Sequence, residues 1–562
     1  MRSKPAIAGA LAGSVIACSP AFAQESAPRA DFAGWWQDAV FYEVFVRSFA
    51  DSTEGPLAGD GVGDLRGLIE NLDYLNDGDP DTTDDLGVTA LWLMPIMQSP
   101  SYHGYDIVDY LKVDDEYGTN EDFMELTREA EKRGIRVTVD LVLNHTSWEH
   151  PWFQDSANRH NGKDDWYIWS PTDDDELTTW GHPTFHDHML ETRGEYFYGF
   201  FWHGMPELDF TNPEVTEATF DLSRYWLETL GAAGFRLDAI KHLIEANGVY
   251  ENAPETHAWF RGYQNFLTSV RDDAYTVGEV WSPTEETLKY VPDGVNQVFE
   301  FDMAYAMVGA VNAADAKNLR EVQQRVWTEY PDGSFATFLT NHDQNRVMSE
   351  LVGSPRRADL RKRSEAGIAA SLLLLSPGTP YLYYGEEIGM TGTKPDPDIR
   401  TPMQWEPNRR TAGFTSGEPW RAPNANVRAG VSVEAQEDRR DSLLDHYKTL
   451  IHLRRAEPAL ARGVGRVVPT GSDSVSAFIR QEGEEAFLII ANLSARTQPG
   501  VWVSPGRFPG LGPEVIRPRE LLEGEDVEPT MVDENGEIGA NGMWTPIQRL
   551  APHTAYAIKI SG

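Results

Sequence analysis

The sequence predicts an α/β fold: a (β/α)8 TIM barrel, an inserted subdomain after the third strand, and a C-terminal antiparallel β-sandwich. Three observations carry this expectation. Short apolar, β-rich runs alternate with longer helical segments over most of the 562 residues, which calls for parallel strands joined by right-handed crossovers. Eight such runs occur in order, the number that closes a barrel. Beyond residue 461 the texture changes to alternating apolar and polar residues among Gly and Pro, the mark of a small antiparallel domain.

The elements follow in chain order. Met1-Arg2-Ser3-Lys4 is a basic start, 6–17 is small and apolar, and Ala21-Phe22-Ala23 is a small-x-small cleavage site. This predicts a secretory signal peptide over 1–23 and a spacer over 24–34. Val15-Ile16-Ala17-Cys18 also fits a bacterial lipobox, which would leave a lipidated Cys18 instead. Both readings place the protein outside the cytoplasm, in the periplasm or the medium. Cys18 is the single cysteine, so there is no internal disulfide framework. No later run reaches the roughly 18 apolar residues of a transmembrane helix.

The first part of the barrel spans 35–142. Strands are expected at 39–46, at 88–94 before Pro95, and at 135–142. Helices are expected at 64–76, starting at Asp64, and at 120–133, with Asn120 as N-cap and Gly134 as stop. Residues 143–205 break the rhythm. They are rich in Trp, His, Asp and Gly, with short strand-like pieces such as 195–202, and read as an inserted subdomain of loops. The second part of the barrel spans 206–460. It supplies strands at 234–238, 275–279, 297–301, 336–340 and 380–384, and helices including 216–230, 364–375 and 442–455. Residues 461–562 carry VSAFIR, AFLIIANL and TAYAIKI, the strands of the terminal sandwich.

Composition narrows the partners. Lys and Arg number 48 against 88 Asp and Glu, a formal charge of −40. Such a surface repels phosphate backbones, which excludes nucleic acid, and disfavours anionic lipid. It keeps the chain soluble. Many of the 17 Trp, 21 Tyr and 24 Phe are core residues, but so many Trp also suit stacking on flat apolar faces such as sugar rings.

Chemistry in a (β/α)8 barrel collects at the C-terminal ends of the strands, and four ends here are polar. Strand three runs into Asp140-Leu-Val-Leu-Asn144-His145, and strand four ends Gly234-Phe-Arg236-Leu-Asp238. Strand five ends Gly278-Glu279-Val-Trp281, and strand seven runs into Thr340-Asn341-His342-Asp343. One acid after a strand is more often a helix cap; four polar ends in order are not explained that way. Arg236 and Asp238 stand two apart on a strand and point the same way. A guanidinium there is expected to hold Asp238 ionised and depress its pKa. Glu279 lies on the next strand. Two carboxyls about 5–5.5 Å apart suit a retaining glycosidase, one attacking the anomeric carbon and the other protonating the leaving oxygen. Asp343 is a third acid for the oxocarbenium-like charge. His145 and His342 either donate hydrogen bonds to the transition state or orient other residues.

These four segments resemble the signature regions of glycoside hydrolase family 13, the α-amylase family: DLVLNH, GFRLDAIKH, GEVW and FLTNHD match in type, order and spacing. The resemblance spans 36–560. It implies domain B at the insertion and domain C at the terminal sandwich. It also implies Asp238 as nucleophile, Glu279 as general acid/base and Asp343 as transition-state stabiliser, with Arg236, His145 and His342 as partners in the −1 subsite. Tyr105 in HGYD is similar to the tyrosine that stacks under the −1 sugar. Asp106 with Arg400 (IRTPMQW) resembles the pair that closes that subsite. Met205-Pro-Glu-Leu-Asp209 resembles the MPDLN motif of the group between oligo-1,6-glucosidases and neopullulanases, departing at Glu207 and Asp209. SPSYHGYD looks like the α-amylases of that group. Ala239, Lys241 and His242 resemble α-1,4-acting members; 1,6-glucosidases more often carry Val and Asn there. Lys241 either meets a leaving-side sugar or is a solvated lysine at a helix start.

Asp60-Gly-Val-Gly-Asp64 resembles a Ca²⁺ loop, with Asp51, Thr53, Asp60, Val62 and Asp64 as the implied ligand set. Residues 54–59 are inserted there and Thr53 replaces the usual Asn, so a metal-free turn is the alternative. A second implied Ca²⁺ site uses the Asn144 side chain, an acid of domain B and the His242 carbonyl. The resemblance as a whole implies an exported retaining hydrolase of α-1,4-glucosidic bonds in starch-type malto-oligosaccharides, with some transglycosylation. The alternatives are an α-glucosidase or oligo-1,6-glucosidase, a trehalose synthase-like glucosyl mover, and a non-catalytic glucan-binding relative, which would lack the acids.

Overall fold

The computed structural model describes residues 34–561, apart from 174–183, 188–192, 247, 332, 352–357, 509–510 and 512. The signal-peptide and lipobox readings lie outside the described residues. Eight parallel strands close a barrel: β1 (Phe41–Val44), β2 (Ala90–Leu93), β3 (Arg136–Leu141), β4 (Gly234–Leu237), β5 (Tyr275–Gly278), β6 (Gln297–Phe299), β7 (Phe335–Thr337) and β8 (Thr379–Tyr383). Each sits in a run marked from sequence. Each is shorter than its run or shifted against it by a residue, because the ends give way to the loops that carry polar groups.

Period two along each strand sorts the side chains. Phe41, Ala90, Trp92, Tyr275, Val277, Phe299 and Tyr381 fill the barrel interior as one buried, aromatic cluster. Above that layer come polar groups that are almost fully buried: Glu43, Asp140, Arg236 and Asp238. The cluster therefore acts as a dry floor beneath a charged layer.

The helices depart from expectation in detail. The segment 64–76 is two short helices, Leu65–Glu70 and Leu72–Leu75, with Asp64 as the N-cap of the first. The helix Asn120–Lys132 is capped by Thr119, not Asn120. Thr119 and Asp122 form a reciprocal capping box, which satisfies two orphan amide donors at once. The helix Pro213–Arg224 runs on into a π-helical turn, Tyr225–Leu230.

Between β3 and β4 the chain forms a three-stranded antiparallel sheet from Trp169–Ser170, Tyr196–Tyr198 and Phe185–Asp187. The strand expected over 195–202 is confined to Tyr196–Tyr198. The C-terminal part is a five-stranded antiparallel sheet of β9 (Val464–Val467), β10 (Val475–Glu482), β11 (Glu485–Asn492), β12 (Arg519–Glu520) and β13 (Thr554–Ser561), in the order β9-β10-β11-β13-β12. It has its own core, including Leu488, Ile490, Val503 and Ile558.

Two buried arginines sit where this sheet meets the barrel, and Arg480 of β10 bonds across to it. Arg454 donates to the carbonyls of Leu374, Ser376, Gly378 and Ala461. Arg480 donates to those of Gly463 and Leu375. They satisfy carbonyls at and beyond the end of the helix Ala358–Leu375, which has no later turn to do so. Among the described residues no helix is long and apolar enough to cross a membrane.

Candidate active site

The site is built at the C-terminal ends of β3, β4, β5 and β7. Gly234 opens β4 where a Cβ would lie 2.0 Å from the Tyr275 carbonyl oxygen, so only glycine lets β4 and β5 meet this closely. Two residues on, Arg236 is 1% exposed. Its Nη1 lies 2.9 Å from Asp140 Oδ1 and 2.6 Å from Asp238 Oδ1, and its Nη2 lies 2.8 Å from Glu279 Oε2. One guanidinium therefore serves three carboxylates. The rings of Trp92 and Tyr105 face it at 5.1 and 5.8 Å.

Burial corrects one expectation. Burial pushes Asp238 above its ordinary pKa, and the pull of Arg236 reduces that rise without reversing it. The guanidinium does pull Asp238 down, but burial outweighs that pull, so the net shift is upward. Burial likewise raises Glu279, again against Arg236 and with Asp238 adding to the rise. A raised carboxyl is what a general acid needs near neutral pH. Ala239 follows Asp238 in a left-handed conformation, φ +44°, and donates its amide to Glu279 Oε2 at 3.1 Å. The turn thus ties nucleophile and acid candidates together through one residue.

Asp343 occupies the opposite electrostatic condition. Its Oδ2 is 3.1 Å from His342 Nε2 and its Oδ1 is 2.9 Å from Arg400 Nη2. Burial would raise it, but the two cations hold it well below the usual carboxylate range. His342 is fully buried. Burial alone would lower it; Asp343 and Glu43 reverse that and raise it to about 9.

A cavity of about 890 Å³ opens above these groups. Tyr105, His145, Asp238, Ala239, Lys241, Glu279, Asp343 and Arg400 line it. Arg236 and His342 lie behind that wall. His145 Nε2 is 3.1 Å from the Tyr105 carbonyl, and burial lowers its pKa to about 4. The neutral ring therefore gives its N–H to the backbone, so the expected donation to substrate is not available from that nitrogen. Lys241 is held 3.0 Å from Glu251 and donates to the Trp281 carbonyl at 3.2 Å. It is a tethered wall residue and not a solvated lysine.

The expected pair of Asp106 and Arg400 does not form. Asp106 Oδ1 accepts from Ser99 Oγ at 2.8 Å and from Ser101 Oγ. Arg400 turns instead to Asp343 and to Asp396, the latter at 3.4 Å. The loop hydroxyls decide this, and they carry no sequence signal of their own. Sequence reasoning also missed Glu43, His103, Phe200, Phe201 and Asp396. His103 and the two phenylalanines sit in loops of no regular period; His103 stands next to the quoted Gly104-Tyr105 and was open to notice.

The implied Ca²⁺ loop is closed on itself. Asp51 accepts from the amides of Gly59 and Gly61, both at 2.9 Å, and from the Thr415 hydroxyl. Asp64 accepts from Ser52 and, as an N-cap, from Gly67. Asp60 accepts from Val62. Among the described residues no three His, Cys, Asp or Glu side chains converge as a metal cage. The charge of Asp51 nonetheless raises both Asp60 and Asp64, so the acids of this loop act on one another while Gly59, Gly61, Val62 and Gly67 amides hold their oxygens.

Of the second implied set, Asn144 and His242 are both buried, and the acid that meets Asn144 is Glu207, two residues beyond the bounds expected for domain B. The Asn144 side chain is set against the Glu207 carboxyl, which also accepts from the Phe200 amide at 3.1 Å. Burial and the neighbouring Glu245 push Glu207 well above its ordinary pKa. Two carboxyls and a buried amide oxygen are groups of the kind hard cations take.

Comparisons with known proteins agree with this geometry. Residues 43–463 match the family model described as "Alpha amylase, catalytic domain". "Alpha-amylase 3" of Dictyoglomus thermophilum is 37% identical over 473 residues, covering 82% of this chain and 85% of that protein. "Trehalose synthase/amylase TreS" of Mycobacterium tuberculosis is 34% identical over 521 residues, covering 83% of each. "Oligo-1,6-glucosidase" of Bacillus cereus is 31% identical over 531 residues, covering 82% of this chain and 91% of that protein. Among solved structures, an α-amylase from H. orenii superimposes with a TM-score of 0.77 at 35% identity, covering 93% of this chain and 99% of that one.

Proposed function

The chain belongs to the α-amylase family of retaining glycosidases, and from that premise we propose that it is an exported hydrolase of α-1,4-glucosidic bonds in malto-oligosaccharides. One observation carries the reading: Arg236 gathers Asp140, Asp238 and Glu279 at the floor of a sugar-sized cavity, with Asp343 beside them. In the proposed mechanism Asp238 attacks the anomeric carbon while Glu279, raised by burial, protonates the leaving oxygen. Glu279 then takes a proton from the water, or sugar hydroxyl, that releases the glycosyl group from Asp238. Asp343, kept ionised by His342 and Arg400, stabilises the oxocarbenium-like charge between the two steps.

Three features support α-1,4 action. Ala239 puts only a methyl group at the wall beside Asp238, and Lys241 presents its tethered ammonium on the same wall. Arg400 is tied to Asp343 and not to Asp106, so that pair does not shut the subsite against a longer chain. Contacts of this size shift specificity by ~1–3 kcal/mol. Maltotriose or longer chains should therefore exceed isomaltose by at least about tenfold in kcat/KM on that scale. Ala239→Val should narrow the gap, at some cost in strain, since a β-branched residue is ill suited to a positive φ. Chromatography of products from starch, maltotriose, isomaltose and maltose tests the reading. Equal cleavage of isomaltose would favour the oligo-1,6-glucosidase alternative, and trehalose from maltose the glucosyl mover.

We further propose a structural Ca²⁺ at Asn144 and Glu207, behind His145 of the cavity wall. An ion bound only to the folded state adds stability, about 2.7 kcal/mol at 100 times its Kd. EDTA should thus lower the melting temperature more than the initial rate at low temperature. An unchanged melting temperature, with no metal found by elemental analysis, would remove this site.

A further inference from the structure

Glu43 lies on β1 and is 2% exposed, inside a run of apolar residues. Its Oε1 is 2.6 Å from His342 Nδ1. On the other side of the ring, His342 Nε2 is 2.6 Å from the Tyr105 hydroxyl and 3.1 Å from Asp343 Oδ2. The direction of these bonds can be worked out. A tyrosine hydroxyl has one hydrogen, and Tyr105 gives it to Asp140 Oδ2 at 3.1 Å. Nε2 also faces the Asp343 carboxylate at 3.1 Å, and an ionised carboxylate only accepts, so Nε2 carries a hydrogen. Nδ1 faces a carboxylate, so it carries one as well. A ring with both nitrogens protonated is an imidazolium.

We propose that Glu43 is a positioning residue of this reaction, holding His342 as an imidazolium whose Nε2–H is aimed at Asp343 and the −1 sugar. The inference rests on the proposed glycosidase reading of that site. It gives a purpose to a buried acid that the reaction itself does not use. Glu43 lies on the far side of the ring, with the ring's Nδ1 between it and the cavity.

The surroundings are consistent with a charged ring. Trp92 of β2 meets the ring edge-on, with centroids 5.4 Å apart. Tyr105 stacks on it at 5.6 Å and 12°. Arg400 Nε donates to the His342 carbonyl at 3.0 Å, which fixes the backbone. Asp140 and Asp238 act on the ring from β3 and β4 at longer range. Around Glu43 itself stand Tyr381 and Tyr383 of β8 and Glu386 just beyond it. Those are hydroxyls and another acid, so His342 is the cation in direct contact with Glu43. The raised pKa of His342, about 9, has the two flanking acids as its cause.

Glu43→Gln tests this. The amide oxygen still accepts from Nδ1–H, but the charge is gone, and the ring should move back toward the ordinary histidine value of about 6.5. The expected result is a pH-dependent loss: kcat/KM relative to wild type falls at least tenfold further at pH 8.5 than at pH 6, with the alkaline limb displaced to lower pH. A loss of equal size at both pH values, or no loss at either, would overturn the proposal. Should Glu43→Gln fail to fold, the unmodified enzyme still decides. The ¹⁵N resonances assigned to His342, by their absence in His342→Gln, should report both nitrogens protonated at pH 8; a singly protonated ring there would overturn it. A wild-type enzyme without glycosidase activity would instead remove the reading of the site, and the resonances would still test the ion pair.

Discussion

Asp238→Asn is expected to lower kcat on malto-oligosaccharides by about 10⁴-fold or more, equivalent to ~5.5 kcal/mol of transition-state stabilisation. An amide cannot form the glycosyl ester, so the covalent route is lost and only binding and electrostatic effects remain. The fold should survive. Burial already makes the charge of Asp238 costly, and a neutral isostere removes that cost. It also gives up a 2.6 Å ion pair with Arg236, but Arg236 keeps Asp140 and Glu279 as partners. Steady-state rates with contaminating amylase excluded, alongside a melting curve, check both halves. Turnover within tenfold of wild type would sink the nucleophile assignment.

Arg236→Leu should cost both activity and stability. Taking away one partner of a buried ion pair typically costs about 3–5 kcal/mol, because the other charge is left unpaired, and here three carboxylates lose the same counterion. They should respond by holding protons to higher pH. The sign follows from linkage: groups whose folded pKa is raised above the unfolded value oppose folding as pH climbs through and beyond that range. The variant should therefore lose most stability, relative to wild type, on the alkaline side, and the acid limb of its activity should move up in pH. Arg236→Lys should recover little, since one ammonium cannot span three acids as a planar guanidinium does. Calorimetry and a kcat/KM profile against pH test this. A variant with unaltered melting temperature and an unmoved acid limb would contradict the shared-counterion account.

The difference between what was legible and what was not has a physical cause. The eight strands showed as apolar runs because both faces of a parallel barrel strand are covered. The acids of β4, β5 and the loop after β7 showed because each breaks such a run at its C-terminal end. Glu43 did not stand out, since a lone acid within AVFYEVFV resembles one solvent-facing position in a strand. Thr119 was missed as a cap because its neighbour Asn120 is equally suited by type, and only geometry separates them.

Partnerships were the least visible. The alliance of Arg400 with Asp343 and Asp396 depends on Ser99 and Ser101 having engaged Asp106. The hydrogen bonds of the loop 51–64 depend on where its turns bring the amides of Gly59 and Gly61, both of which Asp51 accepts from. The direction of the Asp238 shift depends on how deeply the folded chain buries it, set against the pull of Arg236. Sequence spacing reports which residues are near one another along a strand, and it is silent on how a charge is divided in space.

The most direct test of the account is to trap the intermediate. An activated 5-fluoro-α-glucosyl fluoride, which forms the glycosyl-enzyme faster than it is released, should leave one covalent sugar on the protein. Digestion and mass spectrometry should then place that sugar on the peptide containing Asp238, with the label lost in Asp238→Asn. A label on Glu279, Asp343 or any other residue, or an unlabelled enzyme whose first product is the β-anomer, would contradict the double displacement proposed here.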